Sequence, residues 1–218
     1  MAGLLRHRGF SVATSAEEAD VVLLNTCAVR ERAEERIFGR LGWLKSMKAA
    51  KPGMVLGVTG CMAERMRDEL VARAPYVDLV VGPDAYRRLP DLIERARDVD
   101  DDPLIDVRLD RNETYQGVQV ERVPGVSGWV TVMRGCDKFC TFCIVPFVRG
   151  RERSLPPEEV VAEVEAMAKA GFREVTLLGQ TVSSYYERGR DFADLLKAVS
   201  GVEGIARIRY TSPYPNDF

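Results

Sequence analysis

Histidine is nearly absent: the 218 residues contain one, His7. That leaves almost no room for imidazole-based catalysis or His-rich metal sites. Long apolar runs are also missing, and nothing approaches the roughly 18 residues a membrane-spanning helix needs. The first ten residues carry Arg6, His7 and Arg8 and no extended apolar stretch, which argues against a secretory signal. Nor is there an excess of charge of one sign. Lys+Arg total 31 and Asp+Glu 33, for a net charge of −2, so any nucleic-acid surface must be a local patch. At roughly 150 residues per domain the length allows one large or two small domains. With 46% hydrophobic and 29% charged residues, collagen-like, coiled-coil and wholly disordered chains are excluded.

An even number of cysteines is lacking too. Five cannot form a fully paired disulfide set, and three sit together as Cys136, Cys140 and Cys143. Clustered thiols without a secretory signal point to the reducing cytoplasm and to metal or redox chemistry.

The pattern of apolar runs predicts an α/β protein. Asp20 to Thr26, Met54 to Thr59 and Val77 to Val81 read as buried parallel strands. Helices are expected at Ala2 to His7, Arg30 to Lys48, Ala63 to Ala74 and Asp84 to Arg97. Such alternation builds β-α units, here a flavodoxin-like or Rossmann-like parallel sheet domain over residues 1–98. The acidic stretch of Asp98, Asp100, Asp101 and Asp102 before Pro103 opens an expected linker, 99–127. A second alternation fills 128–218. Strands are expected at Trp129 to Met133, Glu174 to Leu178 and Ile205 to Thr211, and helices at Pro156 to Ala170 and Phe192 to Ser200. Three strands and two helices cannot close a barrel and leave an edge open. The second domain is therefore expected to be incomplete, and the first lacks a strand ahead of Ala2.

The chemistry-bearing segment runs from Arg134 to Cys143 with the spacing C-x3-C-x2-C, directly after a predicted strand. Three thiolates suit a soft metal centre. A structural zinc site wants four ligands, and no fourth Cys or His lies nearby. A [4Fe-4S] cluster can be held at three irons, leaving the fourth for S-adenosylmethionine (SAM), whose sulfonium is cleaved on reduction to give a carbon radical. A zinc knuckle, or thiols that merely lie close together, is the plainer alternative.

The stretch Met133 to Ser154 resembles the radical-SAM methylthiotransferase family. Leu24-Asn25-Thr26-Cys27, Thr59-Gly60-Cys61 and Leu177-Leu178-Gly179-Gln180-Thr181-Val182 resemble it as well, in order along the chain. The resemblance implies a first part of a radical-SAM partial (β/α) barrel, with Cys136, Cys140 and Cys143 holding the SAM cluster. It places Phe142 near the SAM adenine, and Gly179 and Gln180 near the SAM amino group. Cys27 and Cys61 on their own read as buried core thiols. The resemblance makes them ligands of a second [4Fe-4S] cluster, whose third Cys lies outside this chain, as does a C-terminal RNA-binding β-barrel. It further implies methylthio transfer to C2 of N6-isopentenyladenosine beside the tRNA anticodon. SAM would act as both methyl donor and radical source, with flavodoxin or ferredoxin as electron donor, in a monomeric cytoplasmic enzyme. The present chain alone is expected to be inactive. Other members of the family would act on threonylcarbamoyladenosine in tRNA or on a ribosomal protein, and a non-enzymatic iron–sulfur or zinc module is a further reading.

Arg149, Arg151 and Arg153 trail the cysteines, with Arg134 and Lys138 ahead. Against Asp137 and Glu152 the local net is +3. This is either a solvated loop or a phosphate-contacting rim. The mixed charges of Arg30 to Lys48 read as a solvated face.

Overall fold

The structure is a computed structural model and describes residues 1–28, 31–98, 102–118 and 120–217. Arg30, Asp100, Asp101 and Phe218, which the sequence reading includes, lie outside the described residues. The chain divides into two compact units. The first comprises residues 1–110, 118–120 and 142–149, and the second 111–117, 121–141 and 150–218.

The first unit contains α1 (Ala2–His7), β1 (Val21–Thr26), α2 (Glu31–Ala50), β2 (Val55–Gly60), α3 (Cys61–Met66), α4 (Asp68–Arg73), β3 (Leu79–Val81), α5 (Leu89–Asp98) and β4 (Leu104–Asp106). The strands pair in the order β1-β2-β3-β4, every pair parallel. Alternate residues of a strand face opposite sides, and both sides here are buried. Leu56, Val58 and Val80 pack with Leu41 and Leu44 of α2, Met62 and Met66 of α3 and Leu70 of α4. Val55, Leu79 and Val81 pack with Leu89, Leu92 and Ile93 of α5, against which Leu5 of α1 also rests. Covering both faces explains why these strands are apolar throughout.

Three local readings are corrected. The helix expected over Ala63 to Ala74 is two helices, broken at Arg67, whose φ of 50° lies in the left-handed region. The Arg67 guanidinium donates to the Glu64 carbonyl and carboxylate, both at 3.1 Å, which supports this costly conformation. The helix expected over Asp84 to Arg97 begins as a 3-10 turn, Pro83–Arg88, before α5. Within the expected linker, Leu104–Asp106 is β4 and pairs with β3, Val81 opposite Asp106. Three residues between breakers give too little alternation to be read as a strand.

The second unit contains β5 (Ser127–Thr131), β6 (Met133–Arg134), and β7 (Arg153–Ser154). Between β6 and β7 comes α6 (Val145–Arg149), which packs with the first unit, on α3. Then follow α7 (Pro157–Lys169), β8 (Glu174–Leu178), β9 (Tyr186–Glu187), β10 (Arg190–Asp191), α8 (Phe192–Ser200) and β11 (Arg207–Tyr210). The order β11-β8-β5 makes a three-stranded parallel sheet. Its core joins Val130, Val175 and Leu177 to Val160, Val164 and Met167 of α7 and to Phe192, Leu195 and Val199 of α8. The strand expected over Trp129 to Met133 splits: β5 stays in this sheet, while β6 leaves it to pair antiparallel with β7, Arg134 opposite Arg153. Among the described residues, no helix is long and apolar enough to cross a membrane.

Candidate metal centre

Cys27 and Cys61 follow directly on β1 and β2, whose last residues, Thr26 and Gly60, are paired in register. The two cysteines therefore leave the carboxyl edge of the sheet from adjacent strands, where open α/β sheets place ligands. The Thr26 hydroxyl donates to the Thr59 carbonyl at 2.6 Å and ties the strand ends together. Gly60 has φ +98°, and a Cβ there would lie 2.3 Å from the Thr26 carbonyl oxygen. Only glycine permits β2 to turn at once into α3 beginning at Cys61. Cys27 is exposed and Cys61 buried. The Arg149 Nε–H of α6 donates to Cys61 Sγ at 3.0 Å.

One turn further along α3 the Glu64 side chain is fully buried. Its Oε1 accepts from Arg67, while Oε2 has no hydrogen-bond partner among the described residues. Burial pushes its pKa up from 4.5 to about 7; Arg67 opposes this, and the carboxylates of Asp84 and Asp106 add to it. Burial alone would raise Asp106 as well, but Arg88, donating from Nε at 2.7 Å and Nη2 at 2.9 Å, together with Arg108, holds it below its usual range. The sequence signals for this buried acid were a Glu set between Ala63 and the apolar Met66 in a core helix. They are weak because Glu also suits exposed helix faces.

In the second unit, β6 and β7 close the base of the loop that carries the three clustered cysteines. Gly135 opens the loop at φ +78°, where a Cβ would stand 1.9 Å from the Arg151 carbonyl oxygen. The Gly135 N–H donates to Gln180 Oε1 at 2.7 Å, and the Cys136 N–H to the Gly150 carbonyl at 3.1 Å. Gly179, just after β8, lies against Met133; a Cβ there would be 2.6 Å from Met133 Cγ. Cys136 is buried, and Cys140 and Cys143 are half-buried. Phe142 is 94% exposed.

None of the five cysteines is joined in a disulfide. Among the described residues, no three Cys, His, Asp or Glu groups are gathered closely enough to hold a metal ion. The donor chemistry nevertheless fits an iron–sulfur cluster: three soft thiol ligands on one short loop opened by an obligatory glycine, with no histidine or fourth cysteine on that loop to complete a zinc shell.

The three trailing arginines differ in exposure and in their partners. Arg149 turns to Cys61. Arg151 is exposed and pairs with Asp137 at 2.9 Å. Arg153 lies half-buried in β7.

This fold and loop have known counterparts. Residues 130–217 match the family model of the Radical SAM superfamily, and residues 1–82 that of an uncharacterized protein family, UPF0004. The chain is thus similar to UPF0004 proteins over its first part and to radical SAM proteins over its second. The particular proteins it resembles are tRNA-2-methylthio-N(6)-dimethylallyladenosine synthases. That of Stutzerimonas stutzeri is 45% identical over 212 residues, covering 97% of this chain and 48% of the relative. That of Cupriavidus necator is 46% identical over 219 residues, covering 97% and 48%. One from Pseudomonas aeruginosa is 46% identical over 224 residues, covering 100% and 50%. The chain spans about half the length of the curated relatives it matches. The resemblance to radical-SAM methylthiotransferases therefore holds over nearly the whole chain. A solved radical SAM methyltransferase, TsrM from Kitasatospora setae with tryptophan substrate and a SAM analog (aza-SAM) bound, aligns with a TM-score of 0.54 at 14% identity. It covers 97% of this chain and 50% of that one; such a likeness shows the fold alone. The expected fold class, a parallel α/β unit followed by a radical-SAM α/β unit, is borne out.

Proposed function

We propose that the protein is a radical-SAM tRNA methylthiotransferase that adds a methylthio group to C2 of N6-isopentenyladenosine next to the anticodon. The observation that carries this reading is the glycine-opened C-x3-C-x2-C loop set on a radical-SAM sheet. In this reading Cys136, Cys140 and Cys143 hold the [4Fe-4S] cluster that binds SAM, while Phe142, Gly179 and Gln180 contact SAM. Cys27 and Cys61 contribute to a second [4Fe-4S] cluster. When bound, the cluster with SAM supplies the radical chemistry that an unactivated aromatic C–H requires. The chain's own contribution is to seat the cofactors and to position one base. The target lies in a single-stranded loop, where turning a base outward costs little. Of Arg149, Arg151 and Arg153, the exposed Arg151 contributes a phosphate contact, a flavodoxin or ferredoxin delivers electrons, and the enzyme works as a monomer in the cytoplasm.

The test is mass spectrometry of tRNA nucleosides from bacteria stripped of their own enzyme and supplied with this chain joined to the portions of a curated relative that it does not span, since the chain alone is expected to be inactive. The expected result is 2-methylthio-N6-isopentenyladenosine formed at the expense of N6-isopentenyladenosine. Its absence, with the unmodified precursor intact, overturns the substrate assignment. Methylthiolation found only on threonylcarbamoyladenosine would redirect that assignment.

A further inference from the structure

The cysteine loop is bracketed by a polar network in which the proposed chemistry gives a role to Gln180 and none to Glu152 or Thr181. Glu152, the last residue before β7, accepts at Oε1 from the Asp137 N–H at 3.2 Å and from the Thr181 hydroxyl at 2.8 Å. In return the Glu152 N–H donates to Asp137 Oδ1 at 3.3 Å. Asp137 is the residue after Cys136, so this reciprocal pair fastens the outgoing side of the Cys136 turn to the returning limb of the loop. On the incoming side the Gly135 N–H is held by Gln180. Gln180 and Thr181 are consecutive, directly after β8. One two-residue segment therefore holds the N–H groups of both residues that flank Cys136, one directly and one through Glu152. Two carboxylates in contact would repel, but cations offset them: Arg151 stands 2.9 Å from Asp137, and Lys138 stands 4.0 Å from Glu152 and 2.8 Å from Asp217. The Glu152 side chain is only 19% exposed, so these hydrogen bonds compete with little water.

We propose that Glu152 is a positioning residue that, with Thr181 and Gln180, fixes the residues on either side of Cys136, Gly135 and Asp137, and locks the cysteine loop to the segment that follows β8. Its role as a support for cluster assembly rests on the reading of Cys136, Cys140 and Cys143 as cluster ligands; the lock itself is a property of the metal-free chain. A ligand loop held in advance loses less conformational freedom when it closes on a metal, and residues behind the ligands set their orientation.

The network makes no demand for negative charge at position 152, only for an acceptor. Glu152→Gln keeps a carbonyl oxygen for both donors, Glu152→Ala removes it, and Thr181→Val removes one donor with little change of shape. Amide hydrogen exchange of the metal-free 218-residue chain, read by NMR, is the primary measurement. In the wild type the Asp137 and Gly135 amides should be protected. Glu152→Ala should speed exchange at Asp137 about 10-fold, the loss of one such bond. Thr181→Val should speed it by a smaller factor, and Glu152→Gln should leave it within about 3-fold of wild type. Iron and sulfide counts after anaerobic reconstitution should follow the same order. An Asp137 amide that exchanges equally fast in wild type and Glu152→Ala overturns the lock. So does a Glu152→Gln chain that behaves like Glu152→Ala. A wild-type chain that shows the expected exchange pattern yet loads no cluster supports the lock and overturns the reading of the cysteines.

Discussion

Gly135 and Arg151 show how much of the cysteine loop is decided residue by residue. At φ +78° a side chain at position 135 is strained, and its Cβ would stand 1.9 Å from one backbone oxygen and 2.6 Å from the next. Because both obstacles are main chain, neither can rotate aside. Gly135→Ala should destabilise the second unit by about 2 kcal/mol or more. It should also lower the iron held after reconstitution, as read by thermal melting and iron analysis; near-native values in both would show that the loop has other conformations to adopt. Among the trailing arginines, Arg151 is the exposed one. Its replacement by Gln should reduce the log–log salt slope of RNA binding by up to about 0.7, the weight of one phosphate contact on a single strand. Arg149→Gln should leave that slope unchanged, because its Nε is engaged with Cys61. Equal effects from the two would restore the undivided rim that the sequence suggests.

At the scale of elements, α8 is a case where sequence and structure agree residue for residue, Phe192–Ser200. The reasons are local: Asp191 accepts from the Asp194 N–H at 2.9 Å and Asp194 answers with Asp191 at 3.4 Å, while Phe192, Leu195 and Val199 fall on one buried face. Asp191→Ala should therefore cost about 1 kcal/mol and lower the midpoint of the second unit by a few degrees. An unchanged midpoint would mean that packing alone sets this end of the helix. Elements whose cause is not local were not legible. The break at Arg67 has neither Gly nor Pro to announce it and depends on contacts with Glu64. The strand β4 is three residues long and gains its identity from β3. The site divides in the same way. Its cysteines stand out through spacing and through strand ends. The partner of Cys61 lies 88 residues away, and Glu152 meets Thr181 across 29; no periodicity links positions so far apart.

For the whole molecule, the described residues form one hydrophobic cluster on each face of the first unit's sheet and one in the second unit, so each unit has a core of its own. The pH dependence of the first unit is set by two carboxyls that act in opposite senses. Asp106 is held below its usual range, so its contribution is present above the ordinary carboxyl range and lost as the solution becomes more acidic. Glu64 is the reverse. Its folded pKa of about 7 lies above the usual 4.5. Between those values the folded state binds more protons than the unfolded chain, so stability falls as pH rises through that window. The full effect of a shift that size is at most about 3 kcal/mol by linkage. Glu64→Gln keeps the shape and the acceptor for Arg67 and removes the titration. Chemical denaturation of the wild type and of Glu64→Gln at pH 5, 6, 7 and 8 should give curves for the first unit that diverge with pH. The variant should gain on the wild type by up to about 3 kcal/mol between pH 5 and 8, with the steepest change between pH 5 and 7. Curves that stay parallel over this range would show that Glu64 ionises in the folded protein at its ordinary pKa, and that the buried face of α3 next to Cys61 admits water.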